Sequence, residues 1–367
     1  MIAGKIITPK DIMMRDQTAS KPKTSDRKDA HIDLAMSSLA QAGVSNSMDM
    51  LRLTHCAMPE CDLDAIDIST QFLGYDLSSP LFIGAMTGGT KRADSINAAL
   101  AETAQSCSVA LAVGSQRAGL ENGFSLRNLR KLAPDIPIIG NLGATQLAGD
   151  GGLDLAKAAI DDLQADALAI HLNPLQEAIQ PEGDRDWRDV SIAIEQAVKD
   201  LSVPVIAKEV GAGISASLAA RLFDMGVMAV DVAGLGGTNW ARIEAARIAD
   251  DEAALFAPFL DWGMPTLECI IDVCNHCPNH QVIASGGIRH GLDVAKALWV
   301  GASMVSMAGP MLKMLIDMTS DETAAETLSP EALSKALTGW QKQLALALFL
   351  TGSADIASLR QADAELI

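Results

Sequence analysis

The sequence predicts an α/β protein: a (β/α)8 TIM barrel with an N-terminal extension and a C-terminal helix. Eight apolar, strand-like runs recur, beginning near Leu81, Ala110, Pro137, Ala167, Pro204, Ala229, Gln281 and Met304. Helical patterns separate them, such as Leu153–Leu163 and Ser217–Met225, the second stopped by Gly226. Parallel neighbours need such crossovers, and eight of them close a sheet on itself. Each run also ends in polar or glycine-rich residues, at the rim where barrels of this kind carry their active sites.

Residues 1–80 show no regular period, and Thr18–Arg27 is polar; this is the N-terminal extension. Residues 81–329 form the barrel. Its strand ends are Met86-Thr87-Gly88-Gly89, Gly114-Ser115-Gln116-Arg117, Asn141-Leu142-Gly143 and His171-Leu172-Asn173, then Lys208-Glu209 within the fifth strand. They continue with Gly234 to Thr238-Asn239, Ser285-Gly286-Gly287-Ile288-Arg289 and Ala308-Gly309-Pro310. The sixth unit has 43 residues from Thr238 to His280, room for an inserted helix plus the expected one. Residues 330–367 form a terminal helical segment whose Trp340, Leu344, Leu348 and Phe349 suit docking on the barrel.

Hydrophobic residues make up 49% and charged residues 20% of 367, so the chain can bury a sizeable core and disorder is not expected. The net charge of −18 argues against a nucleic-acid or anionic-membrane partner. An anionic substrate must therefore meet a locally basic site. No apolar run reaches the ~18 residues of a membrane span, and the first residues turn polar too soon for a signal peptide. Six scattered cysteines suit a reducing cytoplasm. Cys269, Cys274 and Cys277 match part of an iron–sulfur spacing. Equally, Cys269 and Cys274 suit the buried face of a helix with Cys277 at its end.

The densest chemistry is His171-Leu172-Asn173-Pro174-Leu175-Gln176-Glu177, which follows a buried strand. Pro174 predicts a shaped loop there rather than a continued strand or a smooth helix start. Four polar side chains at the end of a buried strand need partners, which a reaction site provides. Lys208 lies within an apolar strand and needs an anionic partner. A flavin N1–C2=O edge or a Schiff-base carbonyl would serve. The glycines at 286–287 and 309 let backbone N–H groups approach a phosphate, or else make tight turns. Gly211-Ala212-Gly213 through Ala216, with Asp231 beyond, matches a dinucleotide fingerprint in the wrong context. A tight strand-to-helix turn is the alternative, with Asp231 packed inside the barrel. Arg27-Lys28-Asp29-Ala30-His31 is a basic cluster, either solvated or serving the anion.

Taken in order, R-K-D-A-H (27–31), M-T-G-G-T (86–90), V-G-S-Q-R (113–117), H-L-N-P-L-Q-E (171–177), K-E-V-G-A-G-I-S (208–215), G-L-G-G-T-N-W (234–240) and S-G-G-I-R (285–289) form a specific set. On these motifs the chain resembles the type 2, flavin-dependent isopentenyl-diphosphate isomerases, from Arg27 to about Leu350. The resemblance implies interconversion of isopentenyl and dimethylallyl diphosphate by a 1,3 proton shift. It implies reduced FMN, Mg²⁺, NAD(P)H as reductant, and a homo-oligomer of four or more subunits.

By the same resemblance Ala85, Met86, Thr87, Ser115, Asn141, Lys208, Thr238, Gly286, Gly287, Arg289, Ala308 and Gly309 match flavin-contacting positions. Arg27, Lys28, His31, Ser115, Arg117, His171, Asn173 and Gln176 match substrate positions, and Glu177 matches the Mg²⁺ ligand. Gln176, Glu244, Trp240 and Lys208 match the catalytic group. In this reading the flavin N5 region carries the proton, and Gln176 and Glu244 are proton-handling candidates. Lys208 balances the charge of the reduced ring, and Trp240 adds a cation–π contact. Residues around Gly309 depart from the family's usual small set, which leaves that phosphate contact open. An FMN-dependent hydroxy-acid oxidase would share the barrel, but its His-x-x-Arg base is absent after the late strands. A catalytically silent flavin-binding or scaffold protein is the third possibility; it would bind FMN without needing Gln176 or Glu177.

Overall fold

The computed structural model describes residues 30–35, 37, 40–86, 88–317 and 329–367. Eight parallel strands close into a barrel in sequence order. They are Leu81–Ile83, Ala110–Ala112, Ile138–Gly143, Ala167–Leu172, Val205–Glu209, Ala229–Asp231, Gln281–Ala284 and Met304–Met307. Their starts fall within one residue of the sequence expectation.

The strand period of two sets the interior. Phe82, Ala110, Ala112, Ile139, Ala167, Ala169, Ile206, Ala229, Ile283 and Met304 belong to one inner apolar cluster. Small residues on some strands face large ones on others, which fills the barrel as a core. The antiparallel pair Thr70–Phe72 and Tyr75–Leu77 adds Phe72 and Leu77 to this cluster. Two residues further along six of the strands the inward position turns polar. Asn141, His171, Lys208, Asp231, Ser285 and Ser306 stand there and line a cavity. The same alternation that builds the core therefore builds the floor of the site above it.

The strand-three and strand-four entrances are fixed by an ion pair. Arg130 Nη2 lies 2.5 Å from Asp166 Oδ2. The Asp166 carboxylate also accepts from the Ile138 amide (2.7 Å) and the Tyr75 hydroxyl (2.8 Å). Arg130 donates further to the carbonyls of Ala133, Ile136 and Gln164. Asp166→Ala would leave a mostly buried guanidinium without its counter-charge. Urea titration should show a loss of about 2–3 kcal/mol in unfolding free energy.

Two expectations need correction. The segment after Asn173 is a short helix, Pro174–Ile179, not a loop. Proline is well placed at its first position, where the missing N–H has no intrahelical acceptor. The sixth unit carries three helices rather than two: Trp240–Ala245, Asp250–Phe256 and Thr266–His276. The N-terminal extension packs onto the barrel's late loops and the C-terminal segment. Its Leu51–Leu53 pairs antiparallel with the terminal strand Ala364–Leu366. Ala42 donates to Gly237, Asn239 to Ala40, and Lys296 to Met48, stitching residues 40–50 across the loops of the late strands.

The terminal helix, Pro330–Leu350, docks through buried Leu333, Leu337, Trp340, Leu344 and Leu348. Cys269 is buried on the helix Thr266–His276, Cys274 is half-buried, and Cys277 is its C-cap. No helix among the described residues is long and apolar enough to cross a membrane.

Candidate active site

A cavity of about 960 Å³ opens at the C-terminal ends of the strands. Its lining includes Ala85, Met86, Ser115, Arg117, Asn141, His171, Asn173, Gln176, Glu177, Lys208, Thr238 and Trp240. His31, Gly286, Gly287, Arg289, Ala308 and Gly309 complete the expected set there. Arg27, Lys28 and Thr87 lie outside the described residues. Glu244 stands directly behind the wall, fully buried.

The floor is a row of strand neighbours. Gly143, His171, Lys208 and Asp231 are successive register partners on the third to sixth strands. His171 Nδ1 lies 2.7 Å from Asn141 Oδ1, so the two polar side chains fix each other. Lys208 Nζ donates to its neighbour's carbonyl, Glu209 O, at 2.6 Å. Burial pushes the Asp231 carboxyl up, against the pull of Lys208 and a hydrogen bond from Ser285 Oγ. The floor thus carries one cation and one buried carboxylate side by side.

The dinucleotide-like turn is filled from within. Glu209 Oε2 accepts from the amides of Val210 and Gly211, both at 2.6 Å, and from Ala212. A carboxylate already occupies the nest that a pyrophosphate would need. The glycines serve this turn and close packing: a Cβ on Gly213 would meet Cys269 Sγ at 2.7 Å.

One wall is the helix Pro174–Ile179. Ile179 packs with Ala241 and Ala245 in a small apolar cluster, which brings this helix against Trp240–Ala245. That contact sets Gln176 Nε2 2.9 Å from Glu244 Oε1. Asn173 Nδ2 donates to Gln176 Oε1 (3.1 Å) and Glu177 Oε1 (3.0 Å). The other Glu177 oxygen accepts from the Asp184 amide at 2.7 Å. His31 Nε2 reaches Glu244 Oε1 at 3.0 Å, and its ring meets Trp240 edge-on at 5.4 Å. Burial opposes ionisation of Glu244. His31, Arg247 and Gln176 outweigh it and hold the carboxyl at about 2, below its usual 4.5.

Arg117, expected at the substrate, lies 3.4 Å from Asp184 Oδ2. Gln146 Nε2 donates to the same oxygen at 2.7 Å, and Thr145 Oγ1 at 3.3 Å. On the far side Gly286 and Gly287 have φ of +97° and +76°. A Cβ there would meet the carbonyl oxygens of Gly234 at 2.1 Å and Gly236 at 2.5 Å. Only glycine permits this approach of two backbones. The helix Gly309–Asp317 begins beside them, with its N-terminus lining the cavity. The Arg289 guanidinium turns to the carboxylates of Asp49 and Asp293, tying the extension to the seventh loop.

Gln146, Asp184 and Arg247 were not anticipated. Arg247, three residues beyond Glu244, is the one with a sequence signal, since opposite charges at that spacing meet on a helix.

The residues suit the groups the sequence implied. A cavity of this size, with a glycine-lined end, a helix N-terminus and a lysine on its floor, fits a phosphorylated flavin. A Cβ on Gly309 would stand 3.1 Å from Thr238 Oγ1, so a larger residue there would press on the Thr238 side chain. Glu177 is a single buried carboxylate facing the cavity. Among the described residues no cluster of three or more acidic, His or Cys ligands forms. A lone carboxylate suits Mg²⁺, which keeps waters and takes phosphate oxygens, and does not suit an all-protein metal cage.

Comparison with known proteins follows the geometry. A family model described as FMN-dependent dehydrogenase matches residues 156–365. Among solved structures, mandelate oxidase with (S)-2-phenylpropionate superposes with a TM-score of 0.64 at 18% identity, covering 93% of this chain and 97% of the other. A Pediococcus acidilactici putative lactate oxidase gives 0.65 at 15%, covering 94% and 93%. These identities support the fold alone. Closer in sequence are proteins named isopentenyl-diphosphate delta-isomerase. The one from Xanthobacter autotrophicus is 48% identical, covering 91% of this chain and 96% of its own. That from Stutzerimonas stutzeri is 47% identical, covering 94% and 97%. Identity of this order over nearly the whole of both chains decides the matter: within the FMN-dependent dehydrogenase barrel, this chain belongs to the isopentenyl-diphosphate delta-isomerase family.

Proposed function

We propose that the chain interconverts isopentenyl and dimethylallyl diphosphate by a proton shift between C4 and C2, using reduced FMN and Mg²⁺. The observation that carries this is the Gln176–Glu244 hydrogen bond, 2.9 Å, in the wall that also presents Glu177. It places a proton-handling pair one residue from a metal-binding carboxylate, as a diphosphate with a nearby alkene requires.

The chain's own residues divide the work. Arg117, Asn173 and His171, with Arg27, Lys28 and His31, receive the diphosphate. Glu177, oriented by Asn173 and the Asp184 amide, would hold Mg²⁺, which would supply positive charge for the diphosphate. Gln176 faces the reacting carbons. Glu244 Oε1 lies behind it, where a proton lost from C2 is held through Gln176 or His31. Trp240 offers an aromatic face to positive charge at the tertiary carbon. Reduced FMN, when bound, supplies an electron-rich ring and the N5 region as a proton carrier. Lys208 favours its negative charge. NAD(P)H is the external source of electrons. A homo-oligomer is part of this reading, with support from the exposed Leu255, Phe259 and Trp262 on the sixth-unit insert.

Oxidation of a small hydroxy acid is the rival on the same barrel. The His-x-x-Arg pattern of its base is absent after the seventh and eighth strands. His290 caps the helix Gly291–Val300 by accepting from the Asp293 amide at 3.2 Å, and does not line the cavity. Lactate or mandelate should therefore not bleach the oxidised flavin, and stoichiometric bleaching would overturn the assignment. Glu177→Gln should retain FMN and lose Mg²⁺-dependent isomerisation by about 100-fold. Unchanged activity at limiting Mg²⁺ would remove the metal role.

A further inference from the structure

We infer that Arg247 is a positioning residue, which keeps Glu244 a carboxylate and ties it to the segment that orients Glu177. The inference rests on the proton-handling role of Glu244 proposed above.

Glu244 divides its two oxygens between two tasks. Oε1 meets Gln176 (2.9 Å) and His31 (3.0 Å), both of which line the cavity. Oε2 is bound by Arg247 Nη1 on the side away from the cavity. Arg247 does not line the cavity, so it touches neither substrate nor cofactor. Its side chain is only 12% exposed and that of Glu244 is 0% exposed. A carboxylate so buried takes up a proton unless a charge opposes it. Among the described residues three groups face it: His31 from the extension, Gln176 from the preceding wall, and Arg247 from one turn along its own segment. Gln176 carries no charge. His31 carries one only while protonated, and imidazole titrates in the working range. Arg247 is charged at every working pH. Among these described groups the permanent counter-charge is the guanidinium.

Its second bond has a separate consequence. Arg247 Nη2 lies 3.0 Å from Glu182 Oε1. Glu182 is two residues before Asp184, whose amide holds Glu177 Oε2 at 2.7 Å. One side chain thus joins the proton end of the site to the metal end. Glu182 is itself a titratable neighbour of Arg247, and it shares the guanidinium without displacing Glu244. A protonated Glu244 Oε1 would also face the Gln176 amide with a second donor, forcing that amide to turn.

The test uses FMN-loaded full-length enzyme and three variants. Arg247→Gln should lower kcat roughly tenfold to a hundredfold, less than loss of a proton-handling group outright. KM should change less than about threefold, and the kcat profile should gain an acidic limb from Glu244 between pH 5 and 8. Arg247→Lys, which keeps the charge, should restore most of kcat and the wild-type profile. Glu182→Gln should raise the Mg²⁺ needed for half-saturation several-fold and leave the profile unchanged. Independently of turnover, ¹³C-carboxyl glutamate labelling reads Glu244 directly, its signal assigned by its loss in Glu244→Gln. That signal should stay ionised from pH 8 to 5 in wild type and titrate in this window in Arg247→Gln. An ionised signal throughout in Arg247→Gln would overturn the inference, as would an Arg247→Lys enzyme as impaired as Arg247→Gln. If the carboxyl titrates as stated but wild type does not isomerise isopentenyl diphosphate, the function falls and the role of Arg247 stands.

Discussion

Glu244→Gln is expected to lower kcat by about 10²–10⁴-fold while FMN remains bound. The carboxylate lies behind the wall, so its loss spares the cavity that holds the flavin. What is lost is the carboxylate bonded to Gln176. Amide replaces acid with little change of shape, and the Arg247 guanidinium then faces a neutral group.

The pH dependence of the parent enzyme follows from the same contacts. The Glu244 carboxyl is held at about 2, below the ordinary 4.5. A depressed carboxyl adds stability that is fully present above 4.5 and is lost as pH falls toward 2. That shift corresponds to something on the order of 3 kcal/mol. Between pH 5 and 8 Glu244 therefore stays charged, and any acidic limb in that range belongs to another group. His31, 3.0 Å from it, is the nearest candidate. A kcat profile of His31→Gln lacking this limb would confirm the assignment; an unchanged limb would exclude it.

Lys208→Ala has the second large effect. It should weaken reduced FMN about tenfold to a hundredfold more than oxidised FMN. The midpoint potential of the bound flavin would then fall by about 30–60 mV, for a two-electron couple. The physical reason is the floor itself. Lys208 is flanked in register by His171 and Asp231, and Asp231 is fully buried. Removing the ammonium removes the one permanent positive charge from that row and leaves Asp231 to take up a proton. A potential unchanged in a redox titration would remove the role given to Lys208.

The barrel was legible because its signal is local. Short apolar runs that reach Asn141, His171 and Lys208 mark strand and rim together. The rim motifs were legible for the same reason, each falling at the end of such a run. Pro174 misled because one residue type serves two ends of structure: it stops a strand and also starts a helix well. The Glu209 nest could not be seen, since nothing in K-E-V-G-A-G tells where a carboxylate turns. Contacts between distant segments were equally hidden. Leu51–Leu53 finds Ala364–Leu366 only in space. Arg117 and Gln146 likewise meet at Asp184 from three separate loops. Glu244 came through the resemblance alone, whereas Arg247, three residues beyond it, matched no motif.

The central claim is that this floor and wall move a proton without net oxidation of anything. Anaerobic turnover in D₂O, with reduced FMN and Mg²⁺, tests it most directly. The expected result is conversion from either diphosphate to one equilibrium mixture, with deuterium entering the carbon chain and the reduced-flavin spectrum unchanged over many turnovers. Flavin reoxidation in step with product, or conversion without deuterium from solvent at either carbon, would contradict it.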